Sequence, residues 1–448
     1  MLPERLCRRI ELNQVGNLGS PNRQRIWPVA RLGDHADSCL GKMLDSEKNR
    51  GDLLPYLGNK NVRWGSFDTS NLGQMRFEKN EHDRYGLRRG DLVICEGGEP
   101  GRCAIWKDAI PGMKIQKALH RIRTRDQLDN EFLYYWFLLA GQNGALEPYF
   151  TGTTIKHLTG KALAELRVPL PPNSEQRAIS HMLGTLDDKI DLNRRMNETL
   201  EAMARAIFKD WFVDFGPTRA KAEGRAPYLA PELWDLFPDA LDDDGKPVGW
   251  TLVPLSVLAE ANPESWSKKN APEEIVYVDL ANTKWGSIDA THHFLWRDAP
   301  SRAKRILRPG DTIVGLVRPG NGSYAYIGTP GLTGSTGFAV LRPREPQYAE
   351  LVFLSATAPE NIECLAHLAD GAAYPAVRPE AVEATEVVLA DNAVTTSFSA
   401  LIDPIFDRME RNKIECQTLA QTRDLLLPRL MSGEIRLLKA EHAMEAVK

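Results

Sequence analysis

The chain of 448 residues has no apolar run that approaches the ~20 residues a membrane-spanning helix needs. Its first residues, MLPERLCRRIELN, lack the apolar core of a secretory signal, so export is not expected. Cysteine is scarce and scattered, at 7, 39, 95, 103, 364 and 416. None forms a CxxC pair, so neither a disulfide framework nor a zinc site is predicted, and the cytoplasm is the expected compartment. A strong basic excess is missing too. The net charge is −4 and the pI about 6.2, whereas a plain nucleic-acid binder usually carries a domain pI above ~9.

Catalytic signatures are absent as well. No GxGxxG follows a strand in a βαβ setting, and no P-loop, HExxH or GxSxG occurs. His292 and His293 adjoin without clustered Cys or carboxylate partners. GLTGSTGF at 331–338 is rich in glycine, but its counterpart GMKIQKAL at 112–119 is not, so a strand edge with tight turns is expected rather than a phosphate loop. NPES at 262 lacks the second proline and the aromatic of an aminomethyltransferase tetrapeptide and reads as a turn. DDKID at 187–191 reads as a solvated helix face.

What the chain does have is a long duplication. YLGNKNVRWGSFD from Tyr56 recurs as YVDLANTKWGSID from Tyr277, with Tyr, Asn, Trp, Gly, Ser and Asp at one offset. LRRGD ending at Asp91 pairs with LRPGD ending at Asp311, Glu131 with Glu350, and Asn193 with Asn412. A period near 220 residues is far beyond the roughly 20–50 of a solenoid, so it marks a duplicated domain. Charge is segregated alike in both copies. Residues 60–125 hold 14 Lys and Arg against 8 Asp and Glu, and residues 281–344 hold 9 against 3. Residues 345–424 hold 5 against 14. Two basic grooves for a polyanion on an acidic scaffold would look like this, and so would two solvated faces.

Each half is a strand-rich segment followed by a long helix. RIWPVARLG, GDLVICEGG and ALHRIRTR read as strands, NEFLYYWFLLA as a short buried helix, and Trp27 and Trp250 open the two segments. Residues 175–212 and 394–431 carry helical periodicity, with Asn173 and Asn392 as expected N-caps and Gln176 as a capping-box partner. Ile179, Leu186, Asn193, Leu200 and Ile207 share one heptad position and Met182, Met196 and Met203 the other, with Leu183, Ile190, Ala204 and Trp211 widening the stripe. In the second copy Phe398, Ile405, Asn412, Leu419 and Leu426 hold the first position, flanked by Leu401, Ile402, Met409 and Leu430. Residues 175–212 as one helix would span ~57 Å, so the two helices are expected to pack on each other as a spacer. Antiparallel packing would make Asn193 and Asn412 meet, or nearly meet, as a register-fixing polar pair. Residues 216–246 read as an acidic connector, partly ordered through Trp234 and Phe237.

LPPNSEQRAI, the continuation LDDKIDLNRRMNETLEAMARAIFKDWFVDFGPTRAKAEGR and the distal LLLPRLMSGEIRL resemble the specificity (S) subunit of Type I restriction–modification systems. The second helix departs from the pattern, since DNAVTTSFSAL lacks the Glu-Gln of the first copy. The resemblance implies an α+β chain in which two duplicated mixed α/β target-recognition domains are separated by two long antiparallel coiled-coil helices. The first recognition domain with its N-terminal arm would occupy 1–170 and the central spacer helix 171–215. The linker would be 216–246, the second recognition domain 247–389, the distal helix 390–437 and a tail 438–448.

It further implies that each domain reads one half of a split double-stranded DNA site. Two methyltransferase subunits would dock on the helices and carry the S-adenosylmethionine chemistry. Restriction/translocase subunits would use ATP, and this chain would hold no cofactor and no catalytic site. A two-domain protein-binding adaptor without DNA readout is the competing reading. The expected DNA-facing residues are Arg102, Lys117, Lys156 and His157 in the first copy, and Arg318, Ser335, Thr336 and Arg378 in the second.

Overall fold

The computed structural model describes residues 27–45, 47–371 and 374–436. The expected N-terminal arm and C-terminal tail lie outside these residues. The described residues form two compact units, 27–189 with 419–436, and 190–418. The division runs through both long helices, so each unit holds one strand-rich domain and a stretch of each helix.

In the first unit the chain enters the domain on strand Val29–Arg31 and leaves on Arg167–Pro169, and the two pair antiparallel. Between them lies a four-stranded antiparallel sheet in the order Ala36–Leu40, Leu119–Thr124, Leu92–Cys95, Cys103–Ile105. The strand LVIC is buried throughout, which is why it reads as an unbroken apolar run rather than an alternating one. A three-stranded sheet joins Gly73–Phe77, Asp52–Leu57 and Lys114–Ile115, the last pair parallel. Helix Asn130–Gln142 starts where the Asp129 carboxylate accepts the Phe132 N–H. It packs Phe132, Leu133 and Phe137 into a core shared with Leu92, Ile94 and Ile122.

The second unit repeats the plan. Its domain enters on Thr251–Pro254 and leaves on Glu386–Leu389, again an antiparallel pair. One sheet runs Ala259–Ala261, Phe338–Pro343, Thr312–Gly315, Tyr324–Tyr326. The other runs His292–Leu295, Glu274–Val278, Leu332–Ser335, Ala303–Ile306, with the parallel pair in its middle. GLTGSTGF is therefore not an edge: Leu332–Ser335 is paired on both sides, and small residues suit its close approach to the side chain of Leu307. The NPES segment is a turn, with Asn262 left-handed at φ 53°.

The recurring GD motif has one structural job in both copies. Asp91 accepts two bonds from Arg123, at 2.7 and 2.9 Å, and the Arg88 N–H at 2.8 Å. Asp311 accepts two from Arg342, at 2.9 and 2.8 Å, and the Arg308 N–H at 2.8 Å. Both carboxylates are buried. The preceding glycines, at φ 90° and 89°, supply the left-handed turn that aims them inward.

The long helices run Asn173–Phe208, extended by a π-turn at Lys209–Val213, and Asn392–Met431. Within the first unit, Ile179 and Leu183 share a core with Leu427 and Leu430, and Arg423 bonds Asp187 at 2.7 Å. Within the second, Trp211 and Phe212 pack on Phe398, while the Cys416 thiol donates to the Ile190 carbonyl. Residue numbers rise along one helix as they fall along the other, so the pairing is antiparallel. The connector is more ordered than its composition suggests. It forms helices Gly216–Ala222 and Pro231–Trp234 and packs Phe237 edge-on against Trp211 and tilted against Trp250.

Two expectations about the helices need correction, and a third gains detail. Asn173 is the first helical residue, not the cap. The Pro172 carbonyl accepts the Gln176 N–H, and the Asn173 amide reaches the Asp126 carbonyl. Gln176, fully buried, ties the helix to the domain instead. Its Oε1 accepts the Asp129 N–H, and its amide donates to the carbonyls of Gln127 and Pro171. Met182, Met203 and Leu401 are exposed, while Leu183, Ile190, Ala204 and Trp211 are buried. The helices pack on the strand-rich domains as well as on each other, which rotates the buried stripe. Finally, Asn412 donates to Asn197 Oδ1 at 2.8 Å and Asn193 donates to Glu415 Oε2 at 2.8 Å. Both Asn193 and Asn412 are buried as expected, but the polar layer spreads over a turn. Asn197, the partner of Asn412, lies about 6 Å of helix from Asn193.

Candidate nucleic-acid interface

Each domain projects one loop from the same point of its sheet. In the first, Thr151 and His157 exchange two backbone bonds, at 2.9 and 2.8 Å, and close the segment between them into a tight loop. The next residue, Leu158, anchors it by donating to the Glu96 carbonyl at 2.7 Å. In the second, Asp370 and Ala376 exchange the same pair, at 3.1 and 2.9 Å, and Val377 donates to the Leu316 carbonyl at 2.9 Å. Gly152 at φ 94° and Gly371 at φ 118° begin the two loops, a conformation that a side chain would strain.

Beside the first loop lies a cavity of about 460 Å³, lined by Glu96, Lys117, Thr151, His157 and Thr159 among others. The structure thus brings Lys117 and His157 together, and Lys156 is exposed next to them with its ammonium over the Phe150 ring. Lys117 sits on a turn beside Ala118, which is held at φ 138°. Arg102 is placed differently from its expected DNA-facing position. Its guanidinium bonds Glu99 at 2.9 Å and the Asn59 carbonyl at 3.1 Å, so it braces two loops of the domain.

In the second domain, Arg318 is exposed and left-handed at φ 49°, with its guanidinium over the Tyr374 ring at 4.9 Å. Its backbone N–H donates to the Pro375 carbonyl at 2.7 Å, which ties it to the loop. Arg378 is exposed at the start of the short helix Pro379–Glu383. Ser335 is not at the surface: it is buried, and its hydroxyl accepts the Gly337 N–H at 3.1 Å because the inner strand turns there. Thr336 beside it is half-buried, and its N–H donates to the Arg302 carbonyl.

Charge separates this surface from the rest of the second unit. A cavity of about 480 Å³ elsewhere is lined by Glu350, Asp403, Asp407 and Glu410, with Arg308 and Arg342. Glu350 is buried, and burial pushes its carboxyl pKa up despite hydrogen bonds from Ser399 and Tyr326. Glu264 goes the other way. The guanidinium of Arg308, and then that of Arg342, hold its carboxyl down at about 2. A wall of carboxylates repels phosphates, so the loop side is the one that suits a polyanion. Among the described residues no His, Cys, Asp and Glu cluster could hold a metal ion, and no helix is long and apolar enough to cross a membrane.

Two features escaped the sequence reading. The tips of the loops carry Ile155 and Tyr374, at 62% and 71% exposure, and the offset of 219 that pairs Glu131 with Glu350 would have matched them. The bidentate partners of the GD aspartates were legible as the Arg of RIRT and the Arg of VLRP at that same offset.

One strand-rich domain thus occurs twice, each copy seated on a long helix and presenting a loop flanked by basic side chains. Residues 26–202 match the family described as the Type I restriction modification DNA specificity domain. The chain is 22% identical over 436 residues to the specificity subunit of the type I restriction enzyme MjaIX of Methanocaldococcus jannaschii, covering 92% of this chain and 94% of that protein. It is 26% identical over 463 residues to the HindI specificity subunit of Haemophilus influenzae, covering 91% and 95%. The crystal structure of a Type-I restriction-modification S subunit from M. genitalium shares the fold, with a TM-score of 0.53, 16% identity, and 92% and 97% of the two chains covered. Residues 26–202 thus match the DNA specificity domain of type I systems, and over nine-tenths of its length the chain is similar to type I specificity subunits.

Proposed function

We propose that the chain reads a bipartite double-stranded DNA site, one half with each recognition domain. The observation that carries this is the pair of loops. They share anchor, closure and glycine, yet differ in every exposed side chain, as two readers of different half-sites should. Lys117, Lys156 and His157 in one domain, and Arg318 and Arg378 in the other, would meet phosphates and base edges. The protein-binding adaptor reading offers no reason for cations at both loops.

Methyltransferase subunits would dock along the long helices and supply the S-adenosylmethionine chemistry, with ATP used by restriction subunits. Exposed apolar side chains on those helices support a docking role: Met182 and Leu425 in the first unit, Leu192, Met203 and Ile414 in the second. The chain itself would remain non-catalytic.

The test is methylation mapping in cells carrying the chain with its methyltransferase partner. Replacing residues 247–389 with another family member's second domain should change one half of the methylated motif. A change in both halves would refute a modular reader. Affinity for the duplex should also fall steeply with salt.

A further inference from the structure

We infer that Ile155 and Tyr374 are the specificity-determining residues at the tips of the two loops. Ile155 would meet a thymine methyl group, and Tyr374 would set the plane of Arg318 against a guanine. This rests on the DNA-reading function proposed above and goes beyond it by assigning base recognition to named side chains.

The two residues occupy the same place in the two loops. Each lies two residues before the end of a loop closed by a two-way backbone bridge, Thr151 with His157 and Asp370 with Ala376. Each is among the most exposed large side chains described, at 62% and 71%. An isoleucine held at a loop tip in water contributes nothing to the core, yet the loop is built to present it. Gly152 lies so close to the Ile155 carbonyl that a Cβ there would sit 2.3 Å from the oxygen, and Gly371 approaches the Tyr374 carbonyl in the same way, at 3.2 Å. The first tip is therefore folded back on its own glycine and kept narrow.

The loop flanks are cationic and the tips are not. Lys117 and Lys156 flank the first tip beside His157, while Arg318 lies against the second and exposed Arg378 follows it in the chain. Phosphate contacts position a reader without carrying sequence information, and base edges are distinguished by hydrogen bonds and apolar contacts in the grooves. A branched aliphatic tip suits the thymine methyl in the major groove. In the second domain the ring of Tyr374 lies against the Arg318 guanidinium at 4.9 Å. Arginine presented flat is the commonest specific partner of guanine O6 and N7. A tyrosine platform that fixes its plane does for the second half-site what an apolar tip does for the first. The frames match and the tips differ, which is the arrangement two unlike half-sites require.

The test uses the full-length chain, as wild type, Ile155→Ala and Tyr374→Ala. Binding is measured to the duplex motif found by methylation mapping and to duplexes with one base pair changed at a time. Ile155→Ala should lose about fivefold or more of its discrimination at a T·A pair in one half. Deoxyuridine in place of that thymine should weaken the wild type and leave Ile155→Ala unchanged. Tyr374→Ala should lose similar discrimination at a G·C pair in the other half. Both variants should keep the salt slope of the wild type, because no phosphate contact is removed. Uniform weakening on every duplex, unchanged discrimination, or both variants acting on one half would overturn the inference. Thermal melting checks the fold, and serine at either position replaces an alanine variant that melts early. If the wild type itself fails to distinguish the motif from a scrambled duplex, the DNA-reading function proposed for the chain fails. If it distinguishes them and the variants do so equally well, only the role of the tips fails.

Discussion

Removing the buried aspartate of the GD turn should cost the first domain more than the second. Asp91 and Asp311 make the same bidentate contact, and their side chains are 4% and 1% exposed. Breaking a buried ion pair by removing one partner typically costs ~3–5 kcal/mol, because the other charge is left uncompensated. Here the arginines are about a quarter exposed, at 26% and 21%, so water recovers part of that cost. The two sites then diverge. After Asp91→Ala, Arg123 keeps only the Gly86 carbonyl at 3.2 Å. After Asp311→Ala, Arg342 still has the Glu264 carboxylate. We expect about 2–3 kcal/mol for Asp91→Ala and about 1–2 for Asp311→Ala. Hydrogen exchange read by mass spectrometry assigns each effect to its own sheet. Peptides covering Leu92–Cys95 and Leu119–Thr124 should exchange roughly 30- to 150-fold faster in the first variant, since ~1.4 kcal/mol is tenfold. Peptides covering Thr312–Gly315 and Phe338–Pro343 should exchange roughly 5- to 30-fold faster in the second. Equal effects, or a larger one for Asp311→Ala, would refute the compensating role of Glu264.

Three further outcomes follow from the geometry. Gln176→Ala removes three buried hydrogen bonds between helix and domain. It should lower the denaturation midpoint of the first unit by an amount equivalent to about 2–3 kcal/mol, whereas Thr395→Ala, whose hydroxyl bonds only the Asp391 carbonyl one turn back, should cost under about 1. Asn412→Leu leaves the half-buried Asn197 Oδ1 without its donor and should destabilise by about 1–3 kcal/mol; adding Asn197→Leu should recover much of this, and an additive double mutant in urea denaturation would contradict the pairing. Because the Glu264 carboxyl is held at about 2, below its usual 4.5, its contribution to stability is present above about pH 4.5 and lost as pH falls toward 2. Glu264→Gln should therefore flatten the acid limb of the second unit's stability in that window, and an unchanged limb would show that the pair carries no linkage.

The duplication made much of this architecture legible, because a motif that occurs twice is its own control. The recurring Tyr-Asn-Trp-Gly-Ser-Asp, the paired GD turns and the two helical periods led to two domains and two helices. Residue roles were harder, for physical reasons. Arg102 and Lys117 look alike as letters, but a carboxylate and a carbonyl within reach make Arg102 a brace. Ser335 reads as a small polar residue beside glycines, yet it is buried at the end of an inner strand, paired with Ala303. The heptad frame was off because a helix that serves a domain and a partner helix has two buried faces, and periodicity reports only their sum. The Asn pair was displaced because equal lengths fix the direction of packing but not its stagger.

The strands that open and close each domain form a clasp of main-chain hydrogen bonds, Val29–Arg31 on Arg167–Pro169 and Thr251–Pro254 on Glu386–Leu389. Backbone ladders do not depend on which side chains they carry. A gene segment cut at these two strands would therefore encode an insert whose ends find each other whatever lies between them. Recombination between unrelated copies could then trade one reading head for another at a seam only a few residues long. New specificities would arise in a single genetic step, with the helices left unchanged.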